Sequence, residues 1–172
     1  MNSKCFQIAV LSLCGVAVIC AVLLGRWSDP LVDFLAPDAL TVYSIDYRDA
    51  APGDSDGGTE RFHGFAILGK VEILDVERRN AILSSLRNGI HNGDGRMKKC
   101  FFPRHAIRAI QDENSVECLV CFECGQMKIW STGPSISTLP VILEQTSSDP
   151  QKVFDETLRS AGIPIARYLA ME

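Results

Sequence analysis

The first feature along the chain is a run of twenty residues without a charge, Phe6 to Gly25 (FQIAVLSLCGVAVICAVLLG), in which Gln7 and Ser12 alone interrupt an all-round apolar surface. At 1.5 Å per residue a helix of that length measures about 30 Å, the thickness of a bilayer's hydrocarbon core. A buried core helix would carry a polar stripe instead. Signal cleavage prefers small residues one and three positions before the cut, and Ile19 before Ala21 or Leu23 before Gly25 fits poorly; Leu13 and Ile19, standing before Cys14 and Cys20, also argue against lipid attachment. The expectation is an uncleaved, single-pass anchor over residues 1–26. Lys4 and the terminal amine on one flank, against Arg26 followed by Asp29, Asp33 and Asp38 on the other, favour a cytoplasmic N-terminus and a domain outside the cytoplasm.

Residues 27–39 are punctuated by Pro and Asp and read as a tether. From Leu40 to Tyr47 (LTVYSIDY) the pattern has a period of two, and its β-favouring residues predict a strand. Ala50 to Glu60 has loop composition. Phe62 to Leu74 predicts one strand or a pair, with Gly64 and Gly69 marking bulges or close backbone approaches. Asp75 then caps a helix from Val76 to about Gly89, whose Arg79, Ile82, Leu83, Leu86 and Ile90 make a stripe at three- and four-residue steps. His105 to Gln111, Val116 to Phe122 and Gln126 to Trp130 predict a three-stranded antiparallel meander. After a Ser- and Pro-rich link, Asp149 before Pro150 predicts a capped second helix with Val153, Phe154, Leu158 and Ala161 buried, stopped by Gly162. Strands bracketed by two helices define an α+β fold: one domain over residues 40–172, with an antiparallel sheet of about five strands and both helices on one face.

With 172 residues, 47% hydrophobic and 22% charged, the chain suits one globular domain plus an apolar segment, and fibrous, repeat and disordered classes drop out. Leaving out Lys4 and Arg26, 15 Lys and Arg stand against 21 Asp and Glu, a formal charge of −6 on the remainder. Nucleic-acid binders normally carry the opposite sign, so no nucleic-acid partner is expected. The densest basic cluster, Arg96, Lys98, Lys99, Arg104 and Arg108, is solvated loop charge first and an anion contact through Arg104 and Arg108 second.

Seven cysteines fall into two sets. Cys5, Cys14 and Cys20 belong to the anchor, where a thiol is a small hydrophobe. Cys100, Cys118, Cys121 and Cys124 carry the chemistry. The run CLVCFEC has the spacing of iron–sulfur ligands but strand composition, which would put Cys118 and Cys124 on one face and Cys121 on the other. Three readings remain open. In an oxidising exterior Cys100 is expected to bridge to Cys121 or Cys124; a zinc ion would take Cys100, His105, Cys121 and Cys124; and a thiol-redox site would use Cys121 and Cys124 with positive charge from Arg104, His105 and Arg108. His63, His91 and His105 read singly as structural or solvated side chains. Glu117 and Glu123 share a strand face without forming an acid–base pair. No Ser–His–acid set, no phosphate-cradling G-x-x-x-x-G-K and no H-E-x-x-H occurs, so no reaction is dictated.

CFFPRHAIRAI followed by CLVCFECGQMKIW, with FHGFAILGKVEI before and VFDETLRSAGIPIA after, resembles a signature C-F-x-P-R-H-x-I-R with C-F-E-C-x-Q found in a group of bacterial exported or membrane-attached proteins without an established activity. The resemblance spans most of residues 60–166. Cys100, Arg104, His105, Cys121 and Cys124 match it, whereas Cys118 replaces an apolar or acidic residue and Ala106 a glycine. The resemblance implies membrane attachment and export. Together these features predict a non-catalytic interaction or envelope-associated module with a structural disulfide and an unidentified protein partner, and, as the alternative, a thiol or zinc site.

Overall fold

The computed structural model describes residues 37–51, 55–56, 59–94, 98–134 and 142–167. All lie in the second of two compact units, Phe34–Glu172. The expected anchor, and all of the tether before residue 37, lie outside the described residues; among those described no helix is long and apolar enough to cross a membrane.

In chain order the elements are β1 (Ala39–Ala50), β2 (Ser55–Asp56), β3 (Thr59–Phe62), β4 (Phe65–Glu72), α1 (Val76–His91), β5 (His105–Gln111), β6 (Asn114–Cys121), a 3-10 turn (Phe122–Cys124), β7 (Gln126–Thr132), β8 (Ile142–Gln145) and α2 (Gln151–Ser160). The fold is α+β, as the pattern predicts. The strands are antiparallel throughout, in the order β2-β3-β4-β1-β5-β6-β7-β8. The sheet is larger than the expected five strands: seven make the body, and the two-residue β2 extends one edge. The added strands are β3, which begins at Thr59 inside the stretch expected to be a loop, and β8, which pairs with β7 from within the supposed link.

The register explains the layers. Val42, Ile107, Cys118 and Ile129 lie opposite one another across β1, β5, β6 and β7, as do Leu40, Ala109, Val116 and Ser131. All are buried, and with Ile82, Leu83 and Leu86 of α1 and Phe154 and Leu158 of α2 they form the core on the helix side. Ser44 and His105 share that face and reach the C-terminal layer: the Ser44 hydroxyl donates to the Pro164 carbonyl at 2.6 Å, and His105 bonds to Asp155 of α2. Cys118 is thus a core hydrophobe. Asp75 caps α1 as expected, its carboxylate accepting from the Arg78 amide at 2.7 Å. At α2 the expectation fails by one residue: Pro150 occupies the cap position, and the Asp149 carboxylate accepts instead from the Ser147 hydroxyl. Ala161 is exposed and Thr157 takes its place in the buried stripe.

The opposite face buries a second cluster, Tyr43, Ile45, Phe62, Ala106 and Leu119, with Phe65, Ile67, Phe101 and Trp130 against it. No helix covers this side among the described residues; the sheet curls over itself. His63, in the β3–β4 turn, stacks on Trp130 of β7 at 3.7 Å between ring centroids, although four ladder steps of about 4.8 Å separate β4 from β7. Two glycines serve this shape. His63 (φ 47°) and Gly64 (φ 87°) make a two-residue turn with both φ angles positive, the hairpin type that follows the strand twist, and a Cβ on Gly64 would lie 2.7 Å from the Ala51 carbonyl oxygen, so Gly64 marks a close backbone approach, one of its two expected roles. Gly69 does mark an irregularity, the register slipping between Ser44–Gly69 and Ile45–Ile67, and a Cβ there would lie 2.8 Å from Ile163.

Candidate thiol–disulfide site

The sequence CFEC forms a bridge because β6 stops inside it. Cys121 is the last residue of the strand, Phe122–Cys124 make one 3-10 turn, and Gly125 closes it in the left-handed region (φ 66°). In a 3-10 turn residues three apart lie above one another. The Cα atoms of Cys121 and Cys124 come to 5.3 Å, within the disulfide range, and the two are joined. The expectation that Cys100 would be bridged is therefore corrected: the bonded pair is Cys121–Cys124, and the strand reading that put these two on opposite faces fails at the 3-10 turn.

Cys100 nevertheless belongs to the site. Its Sγ lies 3.0 Å from Cys124 Sγ. Two bonds hold it there: the Lys98 amide donates to the Cys124 carbonyl at 3.1 Å, and the Gln126 side-chain amide donates to the Lys98 carbonyl. Phe101, the next residue, packs into the concave cluster beneath the Lys128 ammonium, 4.5 Å from the ring centroid. The three cysteines differ in access. Cys121 and Cys124 are fully buried, and Cys100 is partly exposed.

Arg104 and Arg108 are both paired. Arg104 donates to Glu123, inside the CFEC turn, and to the Ala166 carbonyl at 3.0 Å. Arg108 donates to Glu117 and spreads its guanidinium over Tyr43 and Phe62, 5.9 and 5.7 Å from the ring centroids. Both arginines proposed as anion contacts thus face carboxylates of the chain itself. Glu117 and Glu123 serve separate ion pairs.

His105 is not drawn into the sulfur group. Its Nε2 bonds Asp155 Oδ1 at 2.7 Å, and its ring lies against Phe122 and Phe154. Burial holds the imidazole pKa below its ordinary value and outweighs the pull of Asp155. A neutral ring donating from Nε2 leaves Nδ1 as a buried acceptor with no partner. Burial also pushes Asp155 upward, but the bond to His105 and the nearby Arg159 win, so its pKa is lowered. Among the described residues no group of three or more His, Cys, Asp or Glu is placed to hold a metal ion.

A cleft of about 710 Å³ opens beside the bridge, lined by the turn from Phe122 to Gly125, by Asn92, Asp94 and Lys98, and by Thr146 to Ser148. Sequence reasoning missed two parts of this end of the sheet. Gln126 carries no signal beyond its place in C-F-E-C-x-Q. The other is the His63–Glu117–Arg108 chain on the concave face, where His63 Nε2 meets Glu117 Oε2 at 2.6 Å. Burial raises the Glu117 pKa, but bonds from His63 and Arg108 outweigh it and the net direction is down.

No family model, no curated protein and no solved structure matches this chain.

Proposed function

We propose that this chain is a membrane-anchored, extracytoplasmic domain in which Cys100 and the Cys121–Cys124 bridge form a thiol–disulfide exchange centre. The observation that carries the reading is the 3.0 Å contact of a thiol with a sulfur of a closed disulfide. Exchange needs a thiolate to reach a disulfide sulfur, and here the nucleophile is already in contact. The chain-entropy model adds an argument. A bridge from Cys121 to Cys124 closes four residues and is worth about 1.9 kcal/mol, whereas one from Cys100 to Cys124 would close 25 and be worth about 3.5 kcal/mol. A staple selected for stability alone would favour the longer loop. The charge-free stretch Phe6 to Gly25 supports the anchor, and a disulfide suits an exported domain.

One observation favours a second reading, a static interaction module: both bridged cysteines are fully buried. Reduction of the native full chain in detergent micelles by glutathione, followed by peptide mass spectrometry, separates the two. An exchange centre loses its Cys121–Cys124 bridge under conditions where the fold, read by circular dichroism, is intact. A bridge that opens only in denaturant identifies the static module.

A further inference from the structure

Resting on that reading, we infer that Cys100 is the shuttle cysteine of the centre: thiols and disulfides outside the protein react at Cys100, and electrons reach the buried bridge only through it. Three observations converge. Cys100 is the one partly exposed residue of the three, the bridged pair is fully buried, and the Cys100 sulfur touches Cys124 but is held from a separate segment by the Lys98 and Gln126 bonds.

Cys100 gives its proton to water, and its thiolate attacks Cys124 Sγ; the Cys121–Cys124 bond breaks, and Cys121 leaves as a thiolate that takes up a proton. No electrons are gained or lost, and the disulfide now joins Cys124 to the accessible Cys100. An external thiolate then attacks Cys100 Sγ, Cys124 leaves as a thiolate and is protonated, and a mixed disulfide stands on Cys100. A second external thiol attacks the external sulfur of that mixed disulfide and releases Cys100. Two external thiols have become one disulfide, and the bridge has become two thiols. An external disulfide runs the same steps backwards. The reactant class is therefore a thiol or disulfide whose sulfur can approach a partly exposed surface cysteine, either a small thiol or a cysteine of an incompletely folded polypeptide.

Gln126 is a positioning residue in this scheme. Its side-chain amide holds the Lys98 carbonyl and so the segment that presents Cys100.

The experiment compares full-length wild type, Cys100→Ala, Cys121→Ser and Gln126→Ala in micelles. The rate of bridge loss is followed by quenching and peptide mapping, with reduced glutathione in one arm and a reduced, unfolded cysteine-bearing polypeptide in the other. Wild type and Cys121→Ser, which can bridge only Cys100 to Cys124, are expected to react quickly and to yield an adduct on Cys100. Cys100→Ala should retain its Cys121–Cys124 bridge and lose at least about 100-fold in rate in the folded state, recovering in denaturant. Gln126→Ala should slow wild-type exchange without changing the rate of Cys121→Ser when combined with it. Circular dichroism of each variant guards against unfolding, and Cys100→Ser replaces Cys100→Ala if the latter unfolds. Whichever arm reacts faster names the source of the partner sulfur. If Cys100→Ala reacts as fast as wild type, or the adduct maps to Cys121 or Cys124, the shuttle is overturned while the exchange centre stands. If the wild-type bridge resists both reagents, the exchange centre itself fails and the shuttle with it.

Discussion

His63 lies flat on Trp130, with ring centroids 3.7 Å apart and planes within 10°, while its Nε2 holds Glu117 at 2.6 Å. One side chain from the β3–β4 turn thereby clasps β6 and β7 and fixes the curl of the sheet. Its backbone is in the left-handed region (φ 47°), which histidine and asparagine tolerate better than most residues. His63→Asn should keep the turn and lose the clasp. The stack and the bond to a charged partner together predict a loss of about 1–3 kcal/mol. Urea unfolding measures it, and a midpoint equal to that of wild type would show that the curl is held by the apolar cluster alone.

How far the fold is legible in the sequence depends on distance. The meander of β5, β6 and β7 and the Asp75 cap are visible because each is encoded within a few neighbouring residues. The curl is not, because His63 and Trp130 stand far apart in the chain and meet only after the whole sheet has assembled. β8 is hidden by its brevity: four residues after a Ser- and Pro-rich stretch offer too few repeats of the two-residue period to outweigh the link composition. At the site, the sequence selects the right three cysteines; its structural-bridge expectation names the wrong pair, and of its readings the thiol-redox one sets Cys121 beside Cys124. CLVCFEC has strand composition up to Gly125, and the 3-10 turn that makes Cys124 double back shows only in that glycine's positive φ. His105 stands close to Cys100 in sequence, which suggests a shared site; its position on the helix side of the sheet gives it to Asp155 instead.

The His105–Asp155 pair predicts an acid-sensitive domain. The folded-state pKa of His105 is lowered by burial, and those of Asp155 and Glu117 are lowered because their bonds to His105, His63, Arg108 and Arg159 outweigh desolvation. For a group whose folded pKa is depressed, the unfolded chain binds the proton first as pH falls, so stability is complete above the unfolded pKa and declines below it. His105 should bring this on below about pH 6.5, at up to about 1.4 kcal/mol per pH unit, with the two carboxylates adding to it below about pH 4.5. Thermal unfolding at pH 7.5, 6.5 and 5.5 measures the slope. His105→Gln should flatten it between pH 6.5 and 5; an unchanged slope would assign the acid sensitivity to other groups.

Gly89 lies in the last turns of α1 against the start of α2. A Cβ there would come 2.5 Å from Pro150 Cγ and 2.8 Å from Thr146 Oγ1. Alanine gains about 1 kcal/mol of helix propensity over glycine, whereas overpacking costs typically 1–3 kcal/mol and the proline ring has little freedom to yield. Gly89→Ala is thus expected to lower stability, against the usual direction of that substitution. A variant with a raised thermal midpoint would show that α1 and α2 can shift apart at no cost.

Arg104 joins three segments that are distant in the chain. From the residue before β5 it donates to Glu123 in the CFEC turn and to the Ala166 carbonyl beyond α2. Its guanidinium holds both acceptors with two nitrogens of one rigid fork, and a lysine ammonium has no such fork. Arg104→Lys keeps the charge but is expected to lose one acceptor, at about 1–3 kcal/mol for a charged hydrogen bond in a half-buried setting. Hydrogen exchange resolves where the loss falls. Faster exchange should be confined to the CFEC turn and to residues 163–167, while the β6–β7 ladder keeps wild-type protection. Uniform acceleration across the sheet would mean that Arg104 supports the whole domain rather than the junction of these three segments.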